Sequence, residues 1–150
     1  MEDERKKVVE VAYSWLRTPY HHHAKIKGVG IDCLTLLAAI YEEAGIIENI
    51  PIPKYSHQWH LHHSDELYLN GLLKYAHEIE KPLPGDIVIW KFGRCFSHGA
   101  IVVNWPTIIH AYLGQNCTLE NGFADWLNYV GENTSDQGKR RERKFFSHWK

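Results

Sequence analysis

The apolar pattern of this chain changes period once, at the turn cluster Lys81-Pro82-Leu83-Pro84-Gly85-Asp86, and that switch restricts its fold more than any other feature. Before the cluster, apolar residues recur at helical spacing. Val8, Val9, Val11, Ala12, Trp15 and Leu16 form one stripe, and Leu34, Leu37, Ala38 and Tyr41 form a second. After it come β-rich runs: Ile87-Val88-Ile89-Trp90, Ala100-Ile101-Val102-Val103 and Thr107-Ile108-Ile109-His110-Ala111-Tyr112. Asn104-Trp105-Pro106 reads as the hairpin connection between the last two. Helices first and strands afterwards predict an α+β domain with an antiparallel sheet.

Local chemistry sets the boundaries. Thr18-Pro19 closes the first helix, because the residue before proline avoids the helical region. A second helix spans 31–44, with Asp32 as its N-cap and Gly45 as its stop. Ser64-Asp65-Glu66 opens a third, reaching about His77. Residues 131–138 read as a polar loop, and residues 139–149, basic and aromatic, as a last edge strand. No linker divides the 150 residues, which suit one domain over 1–150.

Charge excludes some functions. Seventeen basic and eighteen acidic residues leave a net charge of −1, whereas a general nucleic-acid binder carries a basic surplus. No apolar run is long enough to span a membrane. The charged start, Met1-Glu2-Asp3-Glu4-Arg5-Lys6-Lys7, is unlike a signal peptide and predicts a chain made in the cytoplasm. Cys33, Cys95 and Cys117 are too few for a disulfide framework, and free thiols are expected, with a Cys95–Cys117 bridge left open. Histidine is over-represented, at eleven. His21-His22-His23 and His57, His60, His62 and His63 lack the cysteine pair or His-Glu-x-x-His pattern of a zinc site, so no metal and no cofactor is expected. They read as polar loop residues near a cleft mouth.

Three positions carry chemistry. Gly30-Ile31-Asp32-Cys33 puts a cysteine in the first turn of an apolar helix, where unpaired N–H groups and the helix dipole favour a thiolate. Cys33 is thereby a candidate nucleophile, although cysteine is also a common core residue. Ser97-His98-Gly99 places a histidine at the start of a strand, with small neighbours that leave room for a ligand or another side chain. His110 lies inside an apolar strand and needs a partner. Nucleophile, base and a group orienting the base is the logic of cysteine hydrolases, with Cys33, His98 and His110 in those roles. A tight hairpin at Trp105-Pro106 does not set 98 opposite 110, so a bulge, twist or longer loop must supply a shift. Trp59 and Trp90 are candidate groove walls.

The chain at this point resembles the NlpC-type cell-wall cysteine endopeptidases, which have a papain-like fold. The match covers roughly residues 8–115. It rests on Thr18-Pro19-Tyr20, Gly30-Ile31-Asp32-Cys33, Lys81-Pro82-Leu83-Pro84-Gly85-Asp86-Ile87-Val88, Ser97-His98-Gly99-Ala100-Ile101 and Ile109-His110-Ala111. The Gly30-Ile31-Asp32-Cys33 form, with Ile50-Pro51-Ile52-Pro53-Lys54-Tyr55 soon after the helix, is most similar to the branch linked to bacteriophage tails. The resemblance implies a Cys33–His98–His110 triad, with Tyr20 and Asp32 lining the site and recognising the free amine of a muropeptide stem. It implies cleavage between γ-D-glutamate and a diamino acid, without metal or cofactor, with peptidoglycan as substrate and phage tail proteins as partners. Virion or tail association would follow.

Two departures bear on this. The family has a small residue, often serine, and then glycine after the cysteine; here Leu34 and Thr35 stand there. Arg17 replaces a common glycine before Thr18. These departures keep two alternatives open: an intracellular amidase or acyltransferase on the same fold, and a catalytically silent tail or cell-wall binding module.

Overall fold

Helix α1 (Glu2–Ser14) opens on Glu2, Asp3 and Glu4, acids that complement the positive end of the helix dipole, and buries Val8, Val11 and Ala12. The computed structural model describes residues 1–55, 66–131 and 135–150. After α1 the chain turns through Arg17, which takes the left-handed φ of 73° that glycine would adopt without strain. A two-stranded ribbon follows, β1 (Lys25–Ile26) with β2 (Gly30–Ile31), and leads into α2 (Cys33–Glu43). The second helix is therefore shorter at its start than its apolar pattern suggests: Ile31 is drawn into β2. It stops where expected, at Gly45 with φ 76°.

Helix α3 (Leu67–Leu73) ends well before His77. The reason lies far away in the chain: His77–Ile79 is strand β3, paired with β8 (Arg143–Ser147). Ser64 and Asp65, expected to open this helix, lie outside the described residues. Glu66 stands at its N-cap without capping it, and its Oε1 instead accepts the N–H of Phe96 at 2.7 Å.

The remaining elements are β4 (Ile87–Phe92), β5 (Cys95–Asn104), β6 (Thr107–His110), β7 (Thr118–Asn121) and α4 (Asp125–Asn128). The six-stranded sheet runs β3-β8-β4-β5-β6-β7, antiparallel throughout. This is the α+β architecture expected. Two strand assignments change. The C-terminal strand is interior, bonded to β3 and β4, because its Phe145 and Phe146 pair with Val88 and Ile87. His98 sits within β5 rather than at its start, because the Gly93-Arg94 turn begins that strand at Cys95.

Both faces of the sheet are covered, which explains why its strands read as near-continuous apolar runs. On one face Val8, Leu36, Ile40, Ile87, Ile89, Ile101 and Ile109 pack between sheet and helices. On the other, Val88, Trp90, Ala100, Val102 and Ile108 pack with Leu127 of α4. Asp86, at the turn before β4, is fully buried; its Oδ1 pairs with Arg5 at 2.9 Å and its Oδ2 accepts the N–H of Leu83 at 2.8 Å. All three cysteines are free thiols, so Cys95 and Cys117 do not pair.

Candidate active site

Asp32 starts α2 and thereby aims Cys33. Its Oδ1 accepts the N–H of Leu34 at 3.0 Å and of Thr35 at 2.8 Å, while Thr35 Oγ1 accepts the N–H of Asp32 at 2.9 Å, a reciprocal capping box. Thr35, one of the two departures after the cysteine, is what closes that box. Oδ2 of Asp32 accepts the N–H of His23 at 2.7 Å and the Tyr55 hydroxyl. Asp32 is 1% exposed, with both oxygens engaged by internal donors. His22 and His23 tie the same strap down, donating ring N–H groups to the carbonyls of Tyr55 at 2.9 Å and Pro53 at 3.1 Å. The histidine run thus holds residues 53–55 across the start of α2. His57, His60, His62, His63 and Trp59 lie outside the described residues. Asp32→Ala is expected to cost about 3 kcal/mol, read by urea unfolding, because a cap is lost and buried donors are stranded. Asp32→Asn, which keeps one acceptor oxygen, should recover part of that.

The Cys33 thiol donates to the Ser97 carbonyl at 3.3 Å. Ser97 is the extra residue of a bulge, since Trp90 pairs with His98 but Lys91 with Phe96. The Tyr68 hydroxyl donates to the Cys33 carbonyl at 2.9 Å. Gly99 leaves the room that its sequence suggests, and Tyr68 fills it: a Cβ at Gly99 would collide with the Tyr68 hydroxyl. Tyr20 is half-buried beside Ile31 of β2. Burial pushes its hydroxyl up, and the neighbouring Cys33 and Asp32 push it further.

The two histidines meet. His98 Nε2 lies 2.8 Å from His110 Nδ1, with both rings buried. The register question resolves simply. Ile101 pairs with Ile109 and Val102 with Ile108, and a bulge falls between Val102 and Asn104. Continuing that register sets His110 across from Ala100, which makes His98 its diagonal neighbour on one sheet face, within reach for two long rings. His98 packs among Trp90 at 5.9 Å, Phe92 at 5.7 Å and Trp126 at 6.3 Å between ring centroids. Trp90 is therefore no groove wall; it is fully buried behind His98, with Nε1 donating to Asn128 Oδ1 at 3.2 Å.

Cys33 and the histidines come from opposite sides. Cys33 packs with the helix-side cluster, His98 with side chains of the other face, and the two meet at the Ser97 bulge. The thiol's hydrogen bond goes to the Ser97 carbonyl and not to the His98 ring. Tyr112 joins the halves: its ring stands edge-on to His98 at 5.3 Å, and its hydroxyl is pushed up by burial and by Cys33 and pulled down by Arg141. Alternation along the strand pattern, two residues on from His110, was the signal that could have marked Tyr112. Tyr68 had none, since its place depends on the α3–β5 contact.

Electrostatics favour an uncharged site. Burial pushes the Cys33 thiol up, and the Asp32 carboxylate adds to this. The backbone N–H groups of Cys33 and Leu34 pull it down, but by less. The expectation that the helix start lowers this pKa is therefore reversed by desolvation. Burial drives His98 well below its ordinary value, and the charges of His110 and Arg141 drive it in the same direction. His110 is lowered by burial to about 4, opposed by Glu120. Among the described residues, no group of three or more His, Cys, Asp or Glu side chains is placed to hold a metal ion.

No protein-family profile matches the chain, and no curated protein matches it by sequence. Solved structures do resemble it. The NlpC/p60 domain of the peptidoglycan hydrolase SagA superposes with a TM-score of 0.58 at 18% identity, over 79% of this chain and 89% of that one. An NLP/P60 family protein similar to a lipoprotein, from Staphylococcus aureus, gives 0.62 at 14% identity, over 94% of this chain and 41% of that one. An NlpC/P60 family protein from Bacillus cereus gives 0.58 at 15%, over 92% and 39%. The chain thus spans less than half the length of the latter two. Its fold is that of NlpC/P60 domains, the papain-like arrangement the sequence motifs imply.

Proposed function

We propose that the chain is a cysteine peptidase of the NlpC/P60 type, cleaving a peptide bond of peptidoglycan stems between γ-D-glutamate and a diamino acid. The observation that carries the reading is the buried His98–His110 hydrogen bond, with the thiol of Cys33, at a helix start, on the carbonyl of Ser97 next to His98. The solved structures with this fold, one of them a peptidoglycan hydrolase domain, support it.

On this reading Cys33 attacks the scissile carbonyl. His98 Nε2 is committed to His110, so the thiol passes its proton to His98 Nδ1. That requires His98 to carry its own proton on Nε2, donated to His110 Nδ1. His110 then holds its proton on Nε2, an atom that is buried without a hydrogen-bond partner among the described residues. The acyl-enzyme forms with loss of the amine, which takes the proton from His98, and water completes hydrolysis. The Cys33 backbone N–H is the donor at the start of α2 left to hold the oxyanion, since those of Leu34 and Thr35 are taken by Asp32. Tyr20 lines the cleft. Asp32 serves amine recognition only if an incoming ammonium displaces the Tyr55 hydroxyl from its Oδ2. The tail-associated branch rests on the Gly30-Ile31-Asp32-Cys33 form and the 50–55 motif alone.

A second reading, an acyltransferase on the same fold, is favoured by one observation. A cavity of about 360 Å³, lined by Leu34, Leu37, Tyr41, Ile50, Leu67 and Tyr68, adjoins the turn that carries Cys33. It is apolar and suits an aliphatic chain. Mass spectrometry of synthetic stem peptides separates the two. Release of a peptide with a free diamino-acid amine supports the peptidase. Intact stem peptides, together with transfer from an aliphatic thioester, would replace it with the acyltransferase.

A further inference from the structure

One aromatic ring away from His98 stands a cation with no ion-pair partner among the described residues. Arg141 precedes β8 and is anchored by its backbone N–H, which donates to the Asn128 carbonyl at 2.7 Å. Its guanidinium carbon lies 3.9 Å from the centre of the Phe92 ring. Phe92 in turn lies edge-on to His98 at 5.7 Å and 6.2 Å from Tyr112. Among the described residues Arg141 makes no ion pair and no side-chain hydrogen bond, and its Nε is buried without a partner. Its neighbours are provided for: Arg143 Nη1 donates to Asn128 Oδ1 at 2.8 Å, and Glu142 faces Lys91 at 3.9 Å.

Nε is enclosed by protein, so a ligand would meet the two terminal Nη groups, which have no side-chain acceptor among the described residues. The planar fork fits a carboxylate with two parallel hydrogen bonds. Phe92 links this fork to the site, because its ring lies beneath the guanidinium and 6.2 Å from Tyr112, whose ring stands 5.3 Å from His98. A substrate lying over Cys33 and along Tyr112 therefore runs toward Arg141.

We propose that Arg141 is a substrate-binding residue, the centre of a subsite for a carboxylate that flanks the scissile amide. The proposal rests on the peptidase reading above and names part of its substrate. In a γ-linked glutamyl peptide, the linkage itself leaves the α-carboxylate free, close to the bond that breaks. That carboxylate also offsets the positive charge that disfavours proton uptake by His98.

The test compares two L-Ala-γ-D-glutamyl-lysine peptides, one with the glutamyl α-carboxylate free and one with it as the carboxamide. The wild-type chain is expected to prefer the carboxylate by about thirtyfold in kcat/KM, mostly through KM. Arg141→Met keeps an apolar stem over Phe92 but removes the fork, and should collapse that ratio to about twofold or less. Arg141→Lys, charged but not forked, should lie between. Melting curves of both variants report folding, and the lysine variant carries the test if the methionine variant unfolds. A ratio unchanged in either folded variant, or a wild type that cleaves both peptides equally, overturns the subsite alone. A wild type that cleaves neither overturns the peptidase reading, and the subsite falls with it.

Discussion

Cys33→Ala is expected to abolish stem-peptide hydrolysis, by about 10⁴-fold or more, while leaving the fold intact. Alanine is the best helix former, and the side chain removed is small, so α2 and its Asp32 cap should survive. Circular dichroism and product mass spectrometry read the two halves of that statement. Retention of activity within tenfold of wild type would remove Cys33 as the nucleophile. The structure adds a sharper expectation. Burial and the Asp32 carboxylate hold the thiol neutral, so Cys33 should alkylate slowly at pH 7, slower than a free peptide thiol with its pKa of about 8.5. The rate should climb steeply in alkaline solution. Fast alkylation near pH 6 would instead mean that a thiolate–imidazolium pair exists before substrate arrives, and the proton step would have to be redrawn.

Stability should fall as the solution is acidified, because of the buried histidine pair. In the unfolded chain a histidine takes up a proton near pH 6.5, whereas folded His110 does so only near 4. Between those values the unfolded state binds more protons, so stability is full above pH 6.5, declines below it and levels off below about 4. For His110 alone the loss corresponds to about 3 kcal/mol. His98, lowered in the same direction by burial, by His110 and by Arg141, adds to it. Urea unfolding at pH 7 and at pH 4.5 measures the loss. His110→Gln should show a clearly smaller difference between the two, because the carboxylates and the exposed histidines are common to both proteins. An equal pH dependence in the variant would mean that His110 is not held neutral in the fold.

Local chemistry made the start of the site legible. Asp32 before an apolar helical stripe announces a cap, and the cap is there, because capping depends on residues within three positions. Cys33 follows from it by sequence adjacency. The hairpin at 104–106 was equally readable, because proline and its neighbours mark a turn without outside help. The pairing of His98 with His110 needed one fact more, a bulge after Val102 that no local preference specifies. Arg17 could be marked as unusual, but only the chain path shows that it adopts a glycine's backbone geometry.

What the sequence by itself determined is the broad order and the chemistry of the candidate site: the helices α1 to α3 before the strands β4 to β6, an N-capped cysteine, and two histidines on neighbouring strands. These depend on periodicity, caps and turns, all short-range. Tertiary structure alone decided which strand lies next to which, and with it the site's surroundings. The C-terminal strand pairs with β3 and β4, ends α3 early, and brings Arg141 to Phe92. The thiol's acidity was decided in the same way. A helix start lowers it through a few backbone dipoles, but enclosure by chain segments distant in sequence removes the water that would stabilise its charge, and that loss is the larger effect.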